Sequence, residues 1–112
     1  ENGSGVDAFT VNDNLSISFS SDSSTVSGDA ATVSKVSGFF IKDNSGTTFT
    51  LTNTLVTNKS RVFLQMEGGI TATGYEVSPT TIATGSVIFT FYTAGVAGAP
   101  ASDQRVAFFI IN

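Results

Sequence analysis

Phe108-Phe109-Ile110-Ile111-Asn112 sets four large apolar side chains in a row. Successive side chains of a strand point to opposite faces, so this run must hide both of its faces. Such a segment is expected in the middle of a sheet or beneath a partner. The same two-faced pattern recurs at Phe39-Phe40-Ile41 and at Val87-Ile88-Phe89-Thr90-Phe91-Tyr92. No window carries a helical period, and β-branched and aromatic residues dominate. The reading is an all-β chain, an antiparallel β-sandwich or jelly roll of about seven to eight strands.

Working outward from those runs, 33–42 reads as a strand, 43–46 as a turn, and 47–53 as the returning strand of a hairpin. In 60–67, Val62, Leu64 and Met66 alternate against Arg61, Phe63 and Gln65, and Gly68-Gly69 ends the strand. A short strand over 73–78 closes at Pro79, where no ladder N–H is needed. Strands over 86–92 and 105–111 follow, joined by the Gly/Ala/Pro-rich loop 94–103. Toward the N-terminus, Leu15-Ser16-Ile17-Ser18-Phe19 alternates as a half-buried strand, and the Ser/Asp/Gly-rich stretch 20–30 reads as a solvated connection, with an arm draped onto a neighbouring subunit as the alternative. Residues 1–31 are therefore expected to be a flexible arm with one short strand, and 32–112 the body of a single domain. A chain of 112 residues has room for one core.

Composition narrows the function. The chain has 15 Ser and 16 Thr but only 12% charged residues, so its surface is coated with hydroxyls rather than ions. Net charge is −4, and five scattered cations make no track along a phosphate backbone, which argues against nucleic acid. No apolar run approaches the roughly 18–20 residues of a membrane span. Glu1-Asn2-Gly3-Ser4-Gly5 has neither a basic start nor an apolar stretch, and no initiator Met, which reads as a mature, processed or trimmed chain. Without Cys there are no disulfide staples, and the redox compartment stays open.

The residues that usually carry chemistry are scarce. There is no His, Cys or Trp, so zinc ligation and histidine-activated nucleophiles are ruled out. Glu67 and Glu76 flank Gly68-Gly69 and are the one candidate carboxylate pair for glycosidase-like work; two solvated acids at a hairpin mouth explain them as well. Asn12-Asp13-Asn14 or Asp43-Asn44 offer calcium-type oxygens, but turn-capping accounts for both. Thr48, Thr50, Thr52 and Thr54 place a threonine ladder on one strand face, as water-ordering faces do and as any solvated strand does. The expectation is a protein without catalytic, cofactor or metal residues.

The aromatics point elsewhere. Phe39, Phe40, Phe89, Phe91, Tyr92, Phe108 and Phe109 crowd three strands, so some must face outward from a single core. Outward Phe and Ile suit a protein partner better than a sugar platform, which prefers Trp and Tyr. Phe39, Ile41, Tyr92, Phe109 and Ile111 are the expected subunit contacts. Coverage of both faces by further strands of the same chain is the alternative.

The stretch Thr50-Leu-Thr-Asn-Thr-Leu-Val-Thr-Asn-Lys-Ser-Arg-Val-Phe-Leu-Gln, then Gly74-Tyr75-Glu76-Val77-Ser78-Pro79, Ala83-Thr84-Gly85-Ser86-Val87-Ile88-Phe89 and the closing Val106-Ala-Phe-Phe-Ile-Ile-Asn112, resembles small β-sandwich structural proteins of tailed phages, cyanophages among them. The resemblance spans about residues 47–112. It implies a non-enzymatic virion component, a capsid decoration or cement protein that is commonly trimeric and sits on the major capsid protein. The alternative is a fibre or spike domain binding host-surface glycans, with Tyr75 and the 94–103 loop as its modest candidates. No functional residue carries over, because the resemblance rests on strand pattern.

Overall fold

The computed structural model describes residues 9–11, 17–67 and 75–112. They fold as eleven strands: β1 Phe9–Val11, β2 Ile17–Phe19, β3 Ser27–Gly28, β4 Ala30–Thr32, β5 Ser37–Lys42, β6 Thr48–Thr52, β7 Arg61–Glu67, β8 Tyr75–Ala83, β9 Ser86–Thr93, β10 Val96–Ala97 and β11 Gln104–Ile111. No helix occurs among the described residues. β1 and β2 pair with each other as a separate two-stranded sheet. The remaining strands form two packed sheets, one of four strands in the order β3-β5-β11-β7 and one of five, β10-β9-β6-β4 with β8 also on β9.

Alternation explains the packing. β11 buries Gln104, Val106, Phe108 and Ile110, while β9 buries Val87, Phe89 and Phe91. β5 adds Phe40, and β6 adds Phe49 and Leu51. Phe40 stacks between the sheets, 4.1 Å from the Phe49 ring and 5.2 Å from that of Phe89. The C-terminal run is thus central: β11 is paired on both sides, to β5 and to β7. Fold class and the packing of two sheets follow the sequence reading, but the pairing is mixed. β3 lies parallel to β5, and β4 parallel to β6.

Three expectations need correction. Residues 33–53 do not form a hairpin: β5 and β6 belong to different sheets, and the 43–47 turn crosses from one to the other. Stacking the inward faces of the two strands buries Phe40 on Phe49, where in-sheet pairing would set them side by side. Pro79 does not end its strand but sits inside β8, where the register shifts between Pro79 and Thr81. β8 is an edge strand, so a missing N–H on its outer side is tolerated. Finally, 20–30 is no mere connection. Ser21 bridges Ser37, and the Asp22 and Ser24 amides donate to the Ser37 and Phe39 carbonyls, 2.9 Å each. The chain then runs on as β3 along β5, crosses at Asp29 and continues as β4 along β6. It lines one edge of both sheets.

Two polar residues complete the core at one end. Lys42 and Gln104 are register partners, each almost wholly buried. Lys42 Nζ donates to the Asp43 carbonyl at 2.9 Å, to Asp43 Oδ1 at 3.1 Å and to the Ser45 carbonyl, so its three protons are satisfied. Gln104 Nε2 donates to the Arg105 carbonyl at 2.8 Å and to that of Glu67. At the opposite end, Asn112 Nδ2 donates to the Leu55 carbonyl at 3.1 Å, and the Ser60 hydroxyl donates to Asn112 Oδ1.

Candidate interaction surface

With Val106, Phe108 and Ile110 inside, β11 must turn Arg105, Ala107, Phe109 and Ile111 outward. The same parity turns Phe39 and Ile41 of β5 outward, and Arg61, Phe63 and Gln65 of β7. Register sets these residues in rows: Ile41, Arg105 and Glu67; Phe39, Ala107 and Gln65; Ser37, Phe109 and Phe63; then Ile111 beside Arg61. The outer face of the four-stranded sheet therefore carries Phe39, Ile41, Phe63, Ala107, Phe109 and Ile111 together.

Four of the five expected contact residues, Phe39, Ile41, Phe109 and Ile111, share this face. Tyr92 does not. β9 turns Val87, Phe89 and Phe91 inward, which sends Tyr92 to the outer face of the other sheet, opposite Glu76 of β8 and Ala97 of β10. The residue missing from the expected set is Phe63, which is 53% exposed. Its ring lies 6.4 Å from that of Phe109. The 60–67 alternation had already separated it from Val62, Leu64 and Met66; what the sequence lacked was the pairing of β7 with β11.

The face has structure of its own. The Arg105 guanidinium lies 3.6 Å from the centre of the Phe39 ring, and its Nε donates to Glu67 Oε1 at 3.1 Å. A cation over an aromatic face, steered by a carboxylate, holds the long side chain down against the sheet. A groove of about 200 Å³ runs between β7 and β11, lined by Phe63, Leu64, Gln65, Ala107, Phe108 and Phe109.

The outer face of the five-stranded sheet contrasts with it. Thr48, Thr50 and Thr52 of β6 lie beside Thr90, Ile88 and Ser86 of β9, which in turn face Ser78, Thr81 and Ala83 of β8. Thr54 falls beyond β6, so the ladder has three members on the strand. The hydroxyls of Thr80 and Thr90 are 2.7 Å apart.

The candidate carboxylate pair is split between the two sheets. Glu67 is engaged by Arg105 on one sheet, and Glu76 is exposed on the other. Among the described residues, no group of three or more acids could hold a metal ion. Asp43 is committed to its own turn, where Oδ1 accepts from the Ser45 amide at 2.9 Å and hydroxyl at 2.5 Å. Asn12-Asp13-Asn14 lies outside the described residues, as does the side chain of Tyr75. No described helix is long and apolar enough to cross a membrane. Compared with known proteins, the chain matches no family model, no curated protein and no solved structure.

Proposed function

We propose that this protein is a non-enzymatic structural component of a phage particle, a decoration or cement protein that binds the outer shell and stabilises it. The observation that carries the reading is the pair of unlike outer faces. One is apolar, built from Phe39, Ile41, Phe63, Phe109 and Ile111, and the other is hydroxyl-rich. A face of contiguous aromatic and aliphatic side chains is suited to burial against protein. A weakly charged hydroxyl surface suits the side left in water. In the preferred arrangement the apolar face joins copies into a symmetric trimer and seats them on the major capsid protein, with affinity from buried apolar area. A slow-unfolding β-sandwich fits a particle that persists outside the cell, where damaged subunits are not replaced.

The test is the mass in solution by light scattering over a dilution series, for the wild type and for Phe109→Asp. The wild type should be oligomeric. Phe109→Asp should dissociate it while thermal unfolding remains cooperative, because Phe109 lies outside the core. A folded variant that elutes as the wild type does would remove this face from assembly. Glycan-array binding by a monomeric wild type would favour the host-recognition reading instead.

A further inference from the structure

The sandwich has four sheet edges, and among the described residues three are guarded. Residues 21–32 cover the β5 side of one sheet and the β6 side of the other. β8 carries Pro79 and a register shift, both devices that discourage pairing along an edge. β7 has neither. It pairs with β11 alone among the described residues, over seven unbroken register positions, and between Arg61 and Glu67 it has no charge.

The direction of its free groups follows from alternation. The Ile110 amide donates to the Val36 carbonyl, on the β5 side of β11. Even-numbered residues of β11 therefore turn their backbone groups toward β5, and odd-numbered ones toward β7. Their register partners Arg61, Phe63, Gln65 and Glu67 bond to β11, which leaves the N–H and C=O groups of Val62, Leu64 and Met66 aimed off the edge. The side chains of these same three residues point inward yet are only partly buried, whereas Val106, Phe108 and Ile110 on the neighbouring strand are buried. Among the described residues, both the backbone and the core side of β7 are incomplete.

We propose that the β7 edge pairs antiparallel with β7 of a second copy of this chain about a two-fold axis at Leu64. The strand Arg61-Val62-Phe63-Leu64-Gln65-Met66-Glu67 is complementary to itself in that register. Arg61 meets the second copy's Glu67 at both ends; neither ion pair among the described residues uses Arg61, and Glu67, which accepts from Arg105 through Oε1, has Oε2 to offer. Val62 meets Met66, and Leu64 meets Leu64, each exchanging both main-chain hydrogen bonds. On the outer face Phe63 lies opposite Gln65 and diagonal to the other copy's Phe63, within reach of an aromatic contact. The four-stranded sheets become one continuous sheet, and the two apolar faces become one. The contact stands independently of the virion reading: faces can close on three copies, but this edge joins copies in twos.

The experiment is a charge swap in the full chain, read by light scattering across a dilution series. The wild type should have the mass of two copies, or an even multiple where faces also join. Arg61→Glu and Glu67→Lys should each set like charges together at both ends and weaken the edge contact roughly tenfold. Combining them should restore it, a rescue that simple loss of stability would not give. Hydrogen exchange supplies the second readout. Amides of Val62, Leu64 and Met66 should be slow only in the assembled form, and those of Phe63 and Gln65 slow in both. A wild type that is monomeric at about 100 μM, an odd-numbered oligomer, or amides at 62, 64 and 66 whose exchange ignores assembly would overturn the edge pairing. Dissociation by Phe109→Asp alone, with the swap inert, would leave only the face contact.

Discussion

Asp43 shows how one side chain can fix the turn that decides the topology. Its carboxyl is lowered from 3.8 to about 2 by the Ser45 hydroxyl first, then by the Ser45 amide and by Lys42, against a small opposing effect of burial. The same atom that caps the turn therefore anchors the ammonium of Lys42, buried at the end of the core. Because the folded carboxyl titrates below its ordinary value, its stabilisation is complete above about pH 4, declines as pH falls, and is gone below pH 2. The carboxyl resonance of Asp43 should titrate near 2, and Ser45→Ala should move it up toward 3.8. A wild-type midpoint already at 3.8 would mean that the turn does not hold the carboxylate. The Asp43-Asn44-Ser45-Gly46 signature was legible in the sequence as a turn. The fate of Lys42 was not, since a lysine at a strand end is ordinarily solvated.

At the scale of elements, the decisive contact is the backbone of 21–24 laid against β5. Gly38 makes it possible. Its φ is 153°, and a Cβ there would stand 2.0 Å from the Asp22 carbonyl oxygen. Gly38→Ala must therefore push the segment off the edge, losing the hydrogen bonds of Asp22 and Ser24 to β5, and should cost more than about 2 kcal/mol. Urea unfolding checks this, and a change under about 0.5 kcal/mol would show that the segment is not held there. This element marks where sequence reading ran out. Ser20 to Ala30 has the composition of a loop, and its pairing uses backbone groups with few apolar side chains, so periodicity carries no signal for it. In contrast, the two faces of β7 were legible, because Val62, Leu64 and Met66 alternate with Arg61, Phe63 and Gln65. β11 was legible as a strand covered on both sides, but with apolar residues on both faces its alternation left open which set lies inside. Which strand each would meet was not encoded locally. That is why Phe39, Ile41, Tyr92, Phe109 and Ile111 could be named together as contact residues, while Phe63 was passed over and the placement of Tyr92 on the other sheet was not foreseen.

For the molecule as a whole, the order of strands sets how it must fold. β11 inserts between β5 and β7, and β6 pairs with β9, so most ladders join segments far apart in the chain. Closing such loops before any pairing is rewarded makes folding slow, on the order of milliseconds to seconds. Among the local pairs, β1 with β2 and β9 with β10 are short, and the longest is β8 with β9, adjacent in sequence and joined by Thr84-Gly85. This hairpin supplies the strand on which β6 and β10 assemble, and it should form early. Gly85 tests the order of events. Its φ is 87°, and a Cβ would meet nothing within 4 Å, so Gly85→Ala acts through backbone strain, at the turn and at the bonds of Gly85 to the Val56 carbonyl and the Asn53 amide, 2.9 Å each. The variant should lose about 1 kcal/mol through backbone strain. If the hairpin is formed in the transition state, that loss appears as roughly fivefold slower refolding with unfolding nearly unchanged. Stopped-flow refolding of a dilute, dissociated sample is the measurement. Unchanged refolding with fivefold faster unfolding would place the nucleus elsewhere, among the long-range ladders of β11.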